Sequence, residues 1–321
     1  MRRGTSVVVG ADGVVGTILA RALGAVPVVH RAPTRPGELA IGEAGELVAS
    51  ASLVVNSQGL RPRPGLSAEE IDLSHGPATE RLVEQMSPGA VLVHVSSASV
   101  LGLSRGGRVS ATWPAAPESF PIPEYALSKW RAERIAILRG GARGLKVIVL
   151  RPAIVYQHPA EGMLGTLTGL ARDRRVVLRL LPSGARHHLC SAMLLSAVAR
   201  AVASAPERLA HGERLTVADP FVVTNSELRH ELCAPLAGRW RLEVPVSSRA
   251  AHAVLGRLAG LPGFDFRPMA EAFGVMGMDV RYEAELTFNR LGLDASQFSR
   301  ERTWSAFVAV TAGAGGTRES S

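Results

Sequence analysis

Cysteine is nearly missing from this chain. Cys190 and Cys233 are the only two in 321 residues, far apart and without metal-ligand spacing, which excludes a disulfide framework and fits a reducing compartment. Aromatic residues make up only 5%, so the stacking rings that nucleic acid binding uses are scarce, and the basic residues are scattered along the chain. The formal charge of +8 therefore reads as general surface charge with an attraction for small phosphorylated ligands. No uninterrupted apolar run approaches the roughly 20 residues that cross a bilayer. The opening Met-Arg-Arg-Gly-Thr leads straight into Val7-Val8-Val9, not into a signal-peptide core. A cytoplasmic protein is expected, with a small-molecule substrate and neither a membrane nor a nucleic acid as partner. At 46% apolar content the chain can bury a substantial core.

Lysine is equally scarce: two of the 36 basic residues, against 34 arginines. One of the two, Lys129, stands four residues after Tyr125, itself one of three tyrosines. Chance would produce this spacing in roughly 2% of such sequences. A compact ammonium can sit beside a phenol and favour phenolate, whereas a guanidinium fork suits carboxylates and phosphates. Residues four apart on a helix share a face, so both heads can enter one pocket as an acid–base device.

The first 155 or so residues alternate β-branched runs with helical stretches, which predicts a Rossmann-type α/β fold with a doubly wound parallel sheet. Strands are expected at Ser6–Val9, Val26–His30, Leu53–Asn56, Val91–Ser96 and Lys146–Leu150, each nearly all apolar as both-face burial requires. Helices are expected at Val14–Leu23, Pro77–Met86 and Pro123–Leu138. After Arg151-Pro152 the pattern loosens, with helices at Leu194–Val202 and Ser226–Leu236 and short strands at Leu215–Val217 and Leu242–Val244. The expected division is a dinucleotide domain over 1–160, a smaller, less regular substrate lobe mainly over 161–310, interleaved or not, and a frayed tail over 311–321.

Directly after the first strand come Gly10, Ala11, Asp12, Gly13, Val14, Val15 and Gly16, opening into a helix. Glycine at 10 permits the turn, at 13 the approach of a pyrophosphate and at 16 close helix–strand packing, with the helix N-terminus facing the phosphates. At the end of the next strand, where an acid would hold the ribose of NAD, stand His30 and Arg31, with Arg35 nearby and no acid before Glu38. Guanidinium pairs with a 2′-phosphate, so NADP(H) is favoured over NAD(H).

The glycines spaced three and three, then Ser96-Ser97-Ala-Ser99-Val-Leu-Gly102, then Tyr125-x-x-x-Lys129, then Leu150-Arg151-Pro152, together resemble the extended short-chain dehydrogenase/reductase family, the NAD(P)-dependent epimerase/dehydratase group. The resemblance runs from about Ser6 to Pro159 and is fainter beyond. It implies Ser97, Tyr125 and Lys129 as catalytic residues, with Lys129 binding the nicotinamide ribose and lowering the phenol's pKa. It also implies cofactor contacts at Asn56, Ser57, Gln58, Pro152 and Ile154, and a substrate side formed by Ser97, Ser99 and Arg186. Three departures narrow the function. Ser97-Ala98-Ser99 lacks the carboxylates of dehydratases, Ile154 replaces the family's asparagine, and Ala192 and Met193 replace its paired acids. Reduction of a ketone follows as the first expectation, an epimerase as the second and a non-catalytic NADP sensor as the third. Family members are often dimers, which leaves Leu127, Trp130 and Arg134 open to core or interface. His75, His94, His158, His187 and His188 show no convincing ligand spacing, and no metal is assigned.

Overall fold

Short apolar strands separated by helices build one parallel sheet. The computed structural model describes residues 4–62, 66–102, 108–109, 114–157, 164, 184–233 and 279–309. Its strands in chain order are β1 Ser6–Val9, β2 Val26–Val29, β3 Leu39–Ala40, β4 Leu53–Asn56, β5 Val91–Val95, β6 Arg108–Val109, β7 Lys146–Pro152, β8 Ile154–Tyr156, β9 Arg186–Ser191, β10 Glu213–Val217, β11 Val222–Thr224 and β12 Arg281–Tyr282. The main helices are α1 Val14–Leu23, α2 Gly45–Ser50, α3 Ala68–Gln85, α4 Pro123–Ala142, α5 Ala192–Ser204 and α6 Glu285–Leu291.

The large sheet has seven strands in the order β10-β7-β5-β4-β1-β2-β3, and every pairing in it is parallel. Chain order reverses between β1 and β4, so the crevice at their carboxyl ends is where such a sheet takes a ligand. Alternate strand residues face opposite layers. Val7, Val9, Val54, Leu92 and Val149 pack toward Leu82, Val83, Met86 and Ala136 of α3 and α4. Val8, Val93, Val95, Ile148 and Leu150 share a second cluster with Ile18, Leu19, Leu194, Leu195 and Phe288 of α1, α5 and α6.

Most expected elements are present, with instructive changes at their ends. Helix α3 begins nine residues before the expected Pro77, because Ser67 and Glu70 form a reciprocal capping box that starts the helix earlier. Pro77 lies inside it. Helix α4 continues through Gly140-Gly141 to Ala142, since a β-carbon on Gly140 would fall 2.6 Å from Val147 and the glycine lets helix and sheet close. The sheet takes its edge strand β10 from beyond residue 160, so the two expected parts interleave. Tyr156, Leu189, Val223, Trp304 and Phe307 form a separate, smaller buried cluster. Of the expected Ser226–Leu236 helix, 225–233 is helical; residues 234–236, the Leu242–Val244 strand and the 311–321 tail lie outside the described residues. No helix among the described residues is long and apolar enough to cross a membrane.

Candidate active site

The turn after β1 is shaped by its glycines. Gly10 has φ +84°, and a β-carbon on it would fall 2.7 Å from the Ser57 backbone. One on Gly16 would fall 2.1 Å from the Gly10 carbonyl oxygen. Both contacts are forbidden, so β1, the loop after β4 and α1 meet only through glycine. At Gly13 the nearest atom would be 3.6 Å away. There the space lies ahead of the helix, and no side chain caps the N-terminus of α1. A ten-residue helix with an uncapped N-terminus behind a close-approach glycine fits a pyrophosphate on the backbone of Val14, Val15 and Gly16. Asp12 and Gly13 are exposed beside it.

Residues 56–58 are anchored differently from one another. Asn56 is buried and fully occupied: its amide nitrogen donates to Thr79 Oγ1 at 3.0 Å and faces His94 Nδ1 at 3.3 Å, while its oxygen accepts from the Gln58 N–H at 3.2 Å. It shapes the loop through these bonds. Ser57 is tied to β1 by its N–H on the Val9 carbonyl at 2.9 Å. The Gln58 amide nitrogen meets His30 Nε2 at 3.0 Å.

Tyr125 and Lys129 converge from one face of α4. Lys129 is 6% exposed and donates to the carbonyls of Gln58 and Val95, each at 3.3 Å, at the carboxyl ends of β4 and β5. Burial lowers its pKa to about 8. Ser97, just past β5, faces the Tyr125 phenol and acts to lower its pKa. Ser97 also accepts from the Ser99 N–H at 3.2 Å and from the Ser99 hydroxyl at 2.9 Å. Ser99 is 4% exposed, so it orients Ser97; this corrects the expectation that it lies on the substrate side. Burial raises the Tyr125 pKa, while Arg61 and Ser97 act to lower it. Arg61 comes from the loop after β4, outside any motif, and the sequence pattern did not reveal it.

Two arginines singled out in the sequence are held by acids. Arg31 makes a two-pronged pair with Glu38, at 2.8 Å and 3.0 Å, and also reaches Thr34 at 2.7 Å. The Glu38 carboxylate further accepts from the backbone N–H groups of Thr34 and Arg35. With these donors around it, its pKa falls to about 2. Arg35 itself is exposed. Arg186 pairs with Asp279 at 3.2 Å, which the sequence reading had not anticipated. Pro152 is buried at the end of β7, and Ile154 packs on the smaller cluster. His187 and His188 are buried too, bonded to Asn225 Oδ1 at 3.0 Å and to the Tyr282 N–H at 2.7 Å. His158 lies outside the described residues. Beneath the site, Glu133 is buried with Arg151 at 2.6 Å and Arg214 at 2.7 Å, joining α4 to β7 and β10. An open cavity of about 320 Å³ lies elsewhere, between α1 and α5, lined by Ile18, Arg21, Met193 and Ser196 among others.

Residues 78–192 match the family model of an NAD-binding domain described as male sterility protein. The terminal R domain of the myxalamid PKS-NRPS biosynthetic pathway is 20% identical, with a TM-score of 0.67 over 97% of this chain and 90% of that one. MoeE5 in complex with UDP-glucose and NAD is also 20% identical, with a TM-score of 0.70 over 97% and 99%. The fold is that of the extended short-chain dehydrogenases/reductases. Human epimerase family protein SDR39U1 with NADPH shares this fold at 17% identity, with a TM-score of 0.69 over 98% and 99% of the two chains. No curated protein sequence matches the chain. Among extended short-chain dehydrogenases/reductases, solved complexes thus hold either NAD or NADPH.

Proposed function

We propose that the protein is an NADP(H)-dependent reductase of a ketone in a small molecule or biosynthetic intermediate. The observation that carries this reading is the Lys129 ammonium, four residues after Tyr125 on α4, held by the carbonyls of Gln58 and Val95 at the carboxyl edge of β4 and β5, with Ser97 facing the phenol. The bound nicotinamide supplies the hydride. Ser97 holds the carbonyl oxygen by a hydrogen bond, and Tyr125 delivers a proton to that oxygen as charge develops on it. Raised by burial, the phenol keeps its proton until the oxygen arrives. Lys129, with a pKa of about 8, can exchange a proton near neutral pH from its place at the sheet edge. The turn at Gly10–Gly16 would seat the pyrophosphate, and Ser57, Gln58 and Pro152 border the crevice where the nicotinamide half would lie. Arg31 and Arg35 outweigh Glu38 in charge at the end of β2, beside His30, which supports NADP(H) as the first choice and NAD(H) as the second.

The test is Tyr125→Phe. Loss of the general acid is expected to lower turnover about 10²- to 10⁴-fold, with NADPH affinity measured by fluorescence nearly unaltered. Unchanged turnover would remove the mechanism. An epimerase is the second reading, favoured by Ser97-Ala98-Ser99 after β5, which lacks eliminating carboxylates but could serve oxidation and re-reduction at one carbon. The two separate on stoichiometry, because a reductase consumes one NADPH per product and an epimerase none.

A further inference from the structure

One buried polar side chain beside α4 has no part in the steps above. His75 of α3 is 2% exposed and stands where three elements meet. Its Nδ1 is hydrogen-bonded to Ser128 Oγ, on the stretch of α4 between Tyr125 and Lys129. Its ring meets the Tyr125 ring edge to face, with centroids 5.7 Å apart and planes at 69°. Its far edge fills the space beside Gly59: a β-carbon there would fall 1.9 Å from Cδ2 and 2.1 Å from Nε2. Gly59, at φ +123°, directly follows the Gln58 carbonyl that Lys129 grips. Nε2 has no hydrogen-bond partner among the described residues. A buried ring nitrogen without a partner costs stability, so an apolar ring of the same shape would suit the fold better. What the imidazole adds is the Ser128 anchor, which stops the ring from turning against the phenol.

We propose that His75 is a positioning residue for Tyr125: pinned by Ser128, it fixes the plane of the phenol, closes its buried side to water and spaces the 56–59 loop from α4. The inference rests on the reading of Tyr125 as proton donor and deepens it. His75 acts by shape and not by charge, because burial and the neighbouring Lys129 and His94 hold it neutral, with a pKa of about 2. Facing the phenol itself are Arg61 from the loop after β4 and the Ser97 hydroxyl past β5, with Lys129 on its own helix.

The chain makes this measurable without a substrate. It has three tyrosines, and burial pushes Tyr156 and Tyr282 well above the ordinary phenol range. With Tyr125→Phe as the blank, ultraviolet difference titration of the folded full chain isolates the Tyr125 signal. His75→Ala lets water reach the phenol and is expected to raise its ionisation constant about tenfold, one pH unit in the midpoint. Ser128→Ala leaves the ring but frees it, and is expected to shift the midpoint in the same direction by about threefold in the constant. His75→Phe restores the ring and is expected to return the constant to within about threefold of wild type. The proposal is overturned if Ser128→Ala and His75→Ala both titrate as wild type, or if His75→Phe is displaced as far as His75→Ala. Should His75→Ala fail to fold, Ser128→Ala and His75→Phe still decide: a wild-type midpoint in the former, or a fully displaced one in the latter, overturns the proposal. Failure of the reductase reading shows separately, in the turnover of Tyr125→Phe.

Discussion

Arg31 illustrates how far a residue's role depends on what folds back onto it. In the sequence it is a cation at the end of β2 with no acid before Glu38, seven residues on. In the structure β3 runs beside β2, and the chain entering it carries the Glu38 carboxylate onto the guanidinium. The pair orders the 31–38 loop, and its negative member opposes any 2′-phosphate approaching Arg31. Glu38→Gln is therefore expected to raise the preference for NADPH over NADH roughly three- to tenfold at low ionic strength, less at high salt. Fluorescence titration with both dinucleotides checks this, and a preference that falls would show that Glu38 serves Arg31 by holding it ready instead. Ser99 teaches the same lesson at smaller scale: its motif position suggested substrate, but its burial and its bonds to Ser97 make it a support.

Among the elements, α4 carries the most. Its first two turns present Tyr125, Ser128 and Lys129 to the site, and its next turn inserts Glu133, 1% exposed, between Arg151 and Arg214. Helical spacing makes this compulsory, since residues four apart share a face and aiming the lysine at the sheet edge aims Glu133 at β7 as well. Arg151 is itself 3% exposed, so removing its partner leaves a cation buried without compensation. Glu133→Gln is expected to destabilise the fold by about 3–5 kcal/mol, read as a lower urea midpoint at unchanged slope. The capping box of α3 is legible from Ser67 and Glu70 once structure is known. A reading that takes Pro77 as a helix start passes over it, because proline at a first turn is so often the stronger sign.

For the whole molecule, the buried imidazoles set the response to acid. Burial and the nearby Lys129 hold His75 at about 2 and His94 at about 3, below the ordinary histidine value. The unfolded chain then binds protons that the folded one refuses, so the stability these groups contribute is present above pH ~6.5 and is lost as pH falls toward the folded values. Asp219 runs the other way. Burial lifts it to about 6, and its contribution is present at low pH and lost as pH rises through that value. Two protons against one leave a net fall in stability as pH drops between roughly pH 6 and 4. Urea midpoints across that window should decline accordingly, and His94→Gln should flatten them. A level wild-type profile would contradict the burial seen here. What the sequence determined by itself was the parallel sheet, the glycine turn and the Tyr–Lys face, because strand alternation, left-handed glycine and helical spacing are local properties of a chain. What the tertiary structure decided was which side chains meet: Glu38 with Arg31, Asp279 with Arg186, Arg61 and His75 with Tyr125. Those partners are 7, 93, 64 and 50 residues apart in the numbering, and only the packing of loops and helices against one sheet edge brings them within reach.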